Sequence, residues 1–206
     1  MTTFEMEDSS LSARVLLGKM LFFDPILSGN LQRSCASCHN PEKGFSDGLA
    51  KSVSFDDPNK PLPRNAPGLI NACMQTTFFH DSRERTLVAQ INSVIKNPAE
   101  FNGNCTNIIS LLNQSTTYQK MFANAFARDN PITPAHISQS IADYERTLAG
   151  FNSNFDQYIA GDNKKLTASQ INGFNLFMGK ARCGGCHFAP LYGGLLPPLY
   201  ILLNLK

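Results

Sequence analysis

The chain has no tryptophan among its 206 residues. No apolar run approaches the roughly 20 residues needed to cross a bilayer, so no membrane span is expected. The net charge is only +2, too small a surplus to recruit nucleic acid or an anionic membrane surface. Residues 1–8 (MTTFEMED) are acidic and lack the apolar core of a secretory signal. No segment sustains the alternation of a half-buried strand between turn signals, and no low-complexity tract is present. Histidine is scarce: only four residues, with neither methionine nor histidine after the last of them.

Cysteine is distributed unevenly. Cys35-Ala36-Ser37-Cys38-His39 recurs as Cys183-Gly184-Gly185-Cys186-His187. C-x-x-C-H is the attachment sequence of c-type haem. Its two thiols add to the haem vinyl groups, and the adjacent histidine reaches the iron as proximal ligand. Two covalently bound c-type haems are therefore expected, held by Cys35, Cys38 and His39 and by Cys183, Cys186 and His187. Zinc ribbons space their cysteine pairs by roughly 15–20 residues, whereas Cys35 and Cys183 lie 148 positions apart. Cys73 and Cys105 belong to neither motif. They read as small buried hydrophobes, with a mutual disulfide as the alternative in an oxidising compartment. Haem of this type is attached outside the cytoplasm. A periplasmic location is thus expected, with the export signal already removed or encoded upstream.

Apolar spacing is helical almost throughout. Leu11, Val15, Leu16, Met20 and Leu21 form a stripe, with Ser9 or Ser10 as N-cap. A second helix is expected to begin near Asp81 or Ser82, to carry Leu87, Ile91, Val94 and Ile95, and to stop before Pro98. Thr133-Pro134 starts a long helix marked by Ile137, Ile141, Tyr144, Leu148, Phe151 and Phe155. The capping box Thr167-Ala168-Ser169-Gln170 opens another, whose Ile171, Phe174 and Phe177 lead into the second motif. Asn40 to Gly68 is rich in Pro, Gly, Asp and Ser and reads as a long ordered loop over the first haem. The fold class is all-α, with two cytochrome c-like haem domains: residues 1–160 around the first haem and 161–206 around the second. Only 19 residues follow His187, so the second domain is expected to be incomplete, truncated at the C-terminus.

Each iron would keep a sixth position, and its occupant separates electron transfer from reactivity. His80, His136, Met20, Met74, Met121 and Met178 are the remaining candidates; Met178 lies on the approach to the second motif. Near the first motif in chemistry, though not in sequence, stand Gln90 and Glu100. A carboxylate above an open iron can move a proton between the two oxygens of hydrogen peroxide, and an amide beside it can hold the peroxide. Spacing alone does not select Glu100, and taken singly it reads as a solvated turn residue.

A resemblance selects it. Leu17-Gly18-Lys19-Met20-Leu21-Phe22-Phe23-Asp24-Pro25, Ser34 to His39, Arg64-Asn65-Ala66-Pro67, Leu69-Ile70-Asn71-Ala72, Phe79-His80-Asp81-Ser82-Arg83, Asn97-Pro98-Ala99-Glu100-Phe101 and Phe177 to His187 together resemble the bacterial di-haem cytochrome c peroxidase family, which includes the MauG-type enzymes. The resemblance implies a peroxidatic, low-potential N-terminal haem on His39. It implies a high-potential haem on His187, fed by a small cytochrome c or a cupredoxin. Gln90 and Glu100 fall on the family's distal pair, and Asn65 on the ligand of a calcium ion between the domains. A homodimer is also implied.

Three departures stand out. His80 occupies the place of the family's usual inter-haem tryptophan, as a hydrogen-bonding or a core histidine. Lys51 to Pro63 contains no histidine to cap the first iron, so reductive activation is not expected to be needed. The family's C-terminal part, which supplies the second haem's methionine and further calcium ligands, has no counterpart here. The leading expectation is reduction of hydrogen peroxide to water with electrons from a small redox protein. The alternatives are a di-haem electron-transfer cytochrome, a MauG-like oxidase acting on a protein side chain, and an inactive truncated fragment.

Overall fold

The computed structural model describes residues 9–57, 59–127 and 131–193; the acidic N-terminal segment and the apolar tail lie outside them. Among the described residues the regular structure is helical, without strands. The helices are α1 (Ser9–Phe23), α2 (Cys35–Cys38), α3 (Leu87–Lys96), α4 (Cys105–Gln114), α5 (Thr116–Phe126), α6 (Pro134–Arg146), α7 (Asn154–Ile159) and α8 (Ala168–Met178). The all-α expectation holds.

Side-chain caps set most of the starts. Thr86, Asn104, Ser115, Thr133, Ser153 and Thr167 accept from the amides of Ala89, Asn107, Tyr118, His136, Asp156 and Gln170. Each satisfies one orphan donor of the first turn and contributes about 1 kcal/mol. Thr133 and Thr167 were legible as caps in the sequence. Asn104 and Ser115 open α4 and α5, two helices that the sequence analysis did not single out.

The core forms where α1 crosses α6 and α5 and where α3 covers α6. Leu17, Leu21, Phe22, Leu112 and Ile141 are fully buried there, each removal from water contributing roughly 1.5–3 kcal/mol. Gly18 decides how close α1 comes to α6: a Cβ at that position would stand 1.8 Å from the Ser140 carbonyl oxygen. Arg14 of α1 also reaches the buried Asp143 of α6 at 2.8 Å.

Three sequence-derived boundaries are corrected. The buried face of α1 is Leu17, Leu21 and Phe22, while Leu16 is 62% exposed. The helix is apolar nearly all round, so the close approach at Gly18, not the period, chooses the face. α3 starts at Leu87 rather than near Asp81, because Phe78 and Glu84 pair as an isolated bridge and Ser82 has φ +56°. The long helix after Thr133 ends at Arg146. Asn71 then grips Gly150 through two hydrogen bonds, 2.7 and 3.1 Å, and Ser153 caps a separate α7.

Cys73 and Cys105 are both free and half-buried, in keeping with the hydrophobe reading and not with the disulfide. His136 stacks on Phe126 at 4.2 Å between ring centroids, a packing role.

Gly18→Ala forces a methyl group into the backbone of α6. It is expected to destabilise the protein by about 2–3 kcal/mol, as overpacked cores do, read as a fall in the denaturation midpoint with unchanged m-value.

Candidate haem sites

The first motif is a single helical turn. Ser34 donates its amide to Ser37 Oγ at 3.0 Å, and His39 closes the turn with its amide on Cys35 O at 2.9 Å. Both thiols are unpaired and partly buried. Burial pushes the Cys35 thiol well up, with help from the Glu145 charge. Burial raises Cys38 as well, against the pull of Arg33 and with the push of Asp47 and Glu100. Both are thus held as neutral thiols.

After His39 the chain turns back on itself at Gly44, φ +63°, and Asn40 pairs with Ser46. This delivers Phe45 O to His39 Nδ1 at 2.9 Å; Pro67 O meets the same nitrogen at 3.1 Å. A proton on Nδ1 donates to these carbonyls and leaves Nε2 with a lone pair for a metal. Burial keeps the ring below its ordinary pKa, although the two carbonyls and Asp47 pull the other way. Side-chain hydrogen bonds tie down the described part of this loop. The carboxylate of buried Asp47 accepts from Ser52 Oγ at 2.5 Å and Leu49 N at 2.9 Å, while Lys43 Nζ donates to the Asp47 carbonyl at 2.9 Å. Burial works against ionisation of Asp47, but the Ser52 hydroxyl and the backbone amides hold it below the usual carboxylate range.

Arg33, missed in the sequence, ties this loop to the turn that carries Glu100. Its guanidinium donates to Val53 O at 3.1 Å, Ser54 O at 2.9 Å and Glu100 O at 3.2 Å, and lies over the Phe55 ring at 5.6 Å. Burial raises the Glu100 pKa, opposed by Arg83, by an Asn97 hydrogen bond and by Arg33. Glu100 therefore sits within electrostatic reach of Cys38 and half out of water, not on the open surface. Gln90 is half-buried on α3. Asn65 is exposed in the loop. His80 is exposed too, so it is not a core histidine; next to it Arg83 covers the Phe79 ring at 3.4 Å.

The second motif repeats the same device with less cover. Cys183–Gly185 is a short 3-10 turn, and His187 Nδ1 lies 3.0 Å from Tyr192 O. Phe155, Phe174 and Tyr192 form an aromatic cluster with centroids 5.0–6.3 Å apart. Met178 packs against the motif itself: a Cβ on Gly184 would come within 2.5 Å of its sulfur. His187 and Cys186 are exposed.

Both sites fit a c-type haem: two unpaired thiols on one turn, and an imidazole whose Nδ1 is engaged so that Nε2 is left to bind iron. Among the described residues no cluster of three His, Cys, Asp or Glu side chains suggests another metal.

This helical frame, carrying two haem-attachment turns, is that of a di-haem c-type cytochrome. The chain belongs to the di-haem cytochrome c peroxidase family, which it matches over residues 12–164. It is 40% identical over 174 residues to the methylamine utilization protein MauG of Methylorubrum extorquens, covering 84% of this chain and 49% of that protein. The cytochrome c551 peroxidase of Nitrosomonas europaea is 35% identical over 178 residues, 86% of this chain and 52% of its own length. A crystal structure of a MauG-like protein associated with microbial copper homeostasis superposes with a TM-score of 0.81 at 30% identity, covering 89% of this chain and 54% of the other. The chain thus spans about half the length of the relatives it matches.

Arg33→Met keeps the length and removes three charge-assisted hydrogen bonds. A loss of about 3 kcal/mol is expected, since a bond to a charged group contributes roughly 1.5–3 kcal/mol, read by denaturant titration.

Proposed function

We propose that the protein is a di-haem peroxidase, reducing hydrogen peroxide to water with electrons from a small redox protein, a cytochrome c or a cupredoxin. The observation that carries this is the placement of Glu100: a half-buried carboxyl of raised pKa, fixed by Arg33 to the loop that holds His39. A carboxyl of this kind can move a proton between the two oxygens of peroxide.

In this reading Cys35, Cys38 and His39 hold the haem at which peroxide reacts. Cys183, Cys186 and His187 hold the haem that receives the donor's electrons. The haem supplies the iron that binds peroxide and passes it electrons. Glu100 takes the proton from one peroxide oxygen and returns it to the oxygen that leaves as water. Gln90 holds the peroxide through its amide. Two electrons and two protons per peroxide give two waters. Residues 1–160 form the peroxidatic unit and 161–206 the electron-accepting one, to which α7 lends Phe155. Asn65 is the proposed calcium ligand, the working form is a dimer, and the compartment is the periplasm. No described helix is long and apolar enough to cross a membrane.

Glu100→Gln should lower peroxide turnover by 10²–10⁴-fold, the usual weight of a positioned acid–base group, at an unchanged count of two covalent haems by pyridine haemochrome. As the base form of Glu100 grows with pH, and its pKa is raised, wild-type turnover should climb through the weakly acidic range, and the variant should lose that limb. Full haem loading without peroxide turnover in the wild type would overturn the proposal in favour of an electron-transfer cytochrome.

A further inference from the structure

Glu145, near the end of α6, has no place in the mechanism above. Its side chain is buried, with 6% of the residue exposed, and its Oε2 has no hydrogen-bond partner. Neighbouring cations do not neutralise it. Arg146 pairs instead with Asp143 at 2.6 Å, as does Arg14 of α1 at 2.8 Å. α3, packed on the same helix, offers only Lys96, at its exposed end. The turn at Ala72–Met74 offers only Cys73, whose thiol faces Arg146 O. Cys35, the first attachment thiol, and Tyr144 both feel Glu145. Its neighbour Tyr144 meets Phe22 at 5.2 Å, and Phe22 meets Phe45 at 6.1 Å, the residue whose carbonyl holds His39. A buried carboxyl with an unpartnered oxygen therefore sits on the helix whose Tyr144 packs, through Phe22, toward the loop that holds His39.

We propose that Glu145 is the proton-exchanging group coupled to the redox state of the haem on Cys35, Cys38 and His39. When that haem gains one electron from a reductant, Glu145 takes one proton from solvent; on oxidation it releases it. Burial pushes Glu145 up to about 7, with Arg146 pulling the other way, so the exchange falls in the neutral range. Above that pH the carboxylate charge favours the oxidised haem, and below it the neutral acid does not. The inference rests on a haem being bound at the first motif, and not on peroxide being its substrate.

The test is spectroelectrochemical titration of the two-haem protein at pH 6, 7 and 8, together with redox-difference infrared spectroscopy. The first haem's midpoint potential should fall as pH rises, and the difference spectrum should carry a protonated-carboxyl C=O band. In Glu145→Gln the slope should flatten and that band vanish. A pH-independent potential in the wild type, or a slope and band that survive in Glu145→Gln, would overturn the proposal. The wild-type measurement stands even if the variant does not fold. Peroxide turnover enters none of these readings, so failure here is separable from failure of the peroxidase assignment.

Discussion

The imidazole of His39 is held by two backbone carbonyls from its own loop, Phe45 and Pro67, and much of the N-terminal structure serves that constraint. A loop must cover more than 25 residues to bring both carbonyls to one nitrogen, and a free loop of that length would not stay there. The restraints are visible. Gly44 permits the reversal, Asp47 is buried as a hub for Ser52 and Leu49, and Arg33 fastens Val53, Ser54 and Glu100 to the segment before the motif. Phe45 also leans on Phe22, so the loop is anchored to α1. Through Gly18 and Ser140, α1 is in turn set against α6. The loop that holds His39 and the turn that carries Glu100 therefore share one mechanical frame.

What the sequence disclosed followed from how local each signal is. The two motifs, the stop before Pro98 and the caps at Thr133 and Thr167 depend on residues within a few positions, and the structure has them as read. The face of α1 was misread because Leu16 and Leu17 are equally apolar, and only the partner helix, approaching at a glycine, distinguishes them. The end of α6 depends on Asn71, far away in sequence, binding Gly150. Arg33 and Glu145 carried no local signal: one looked like a cation beside a motif, the other like a charge on a helix. Their roles come from tertiary neighbours.

The site's electrostatics are set by which acids stay charged. Asp47 is held below the carboxylate range by its donors and is ionised at neutral pH. Glu100 and Glu145 are pushed the other way by burial, so each remains able to exchange a proton where Asp47 cannot. Arg33 acts on both Cys38 and Glu100 and prevents the three acids from summing to an unopposed negative charge. Glu145 acts on the first thiol of the attachment turn and Glu100 on the second, while Asp47 holds the loop.

The two motifs differ in cover more than in chemistry. His39 is half-buried and held by two carbonyls, whereas His187 is exposed and held by one. Desolvation strengthens every charge interaction around the first motif, so the acids there act strongly on whatever charge the site carries and favour its oxidised form. Around the second motif the neighbours are aromatic, Phe155, Phe174, Phe177 and Tyr192. A carboxylate-lined first site and an aromatic-lined second one give their haems different electrostatic surroundings, and such surroundings are one of the protein's levers on a haem's potential.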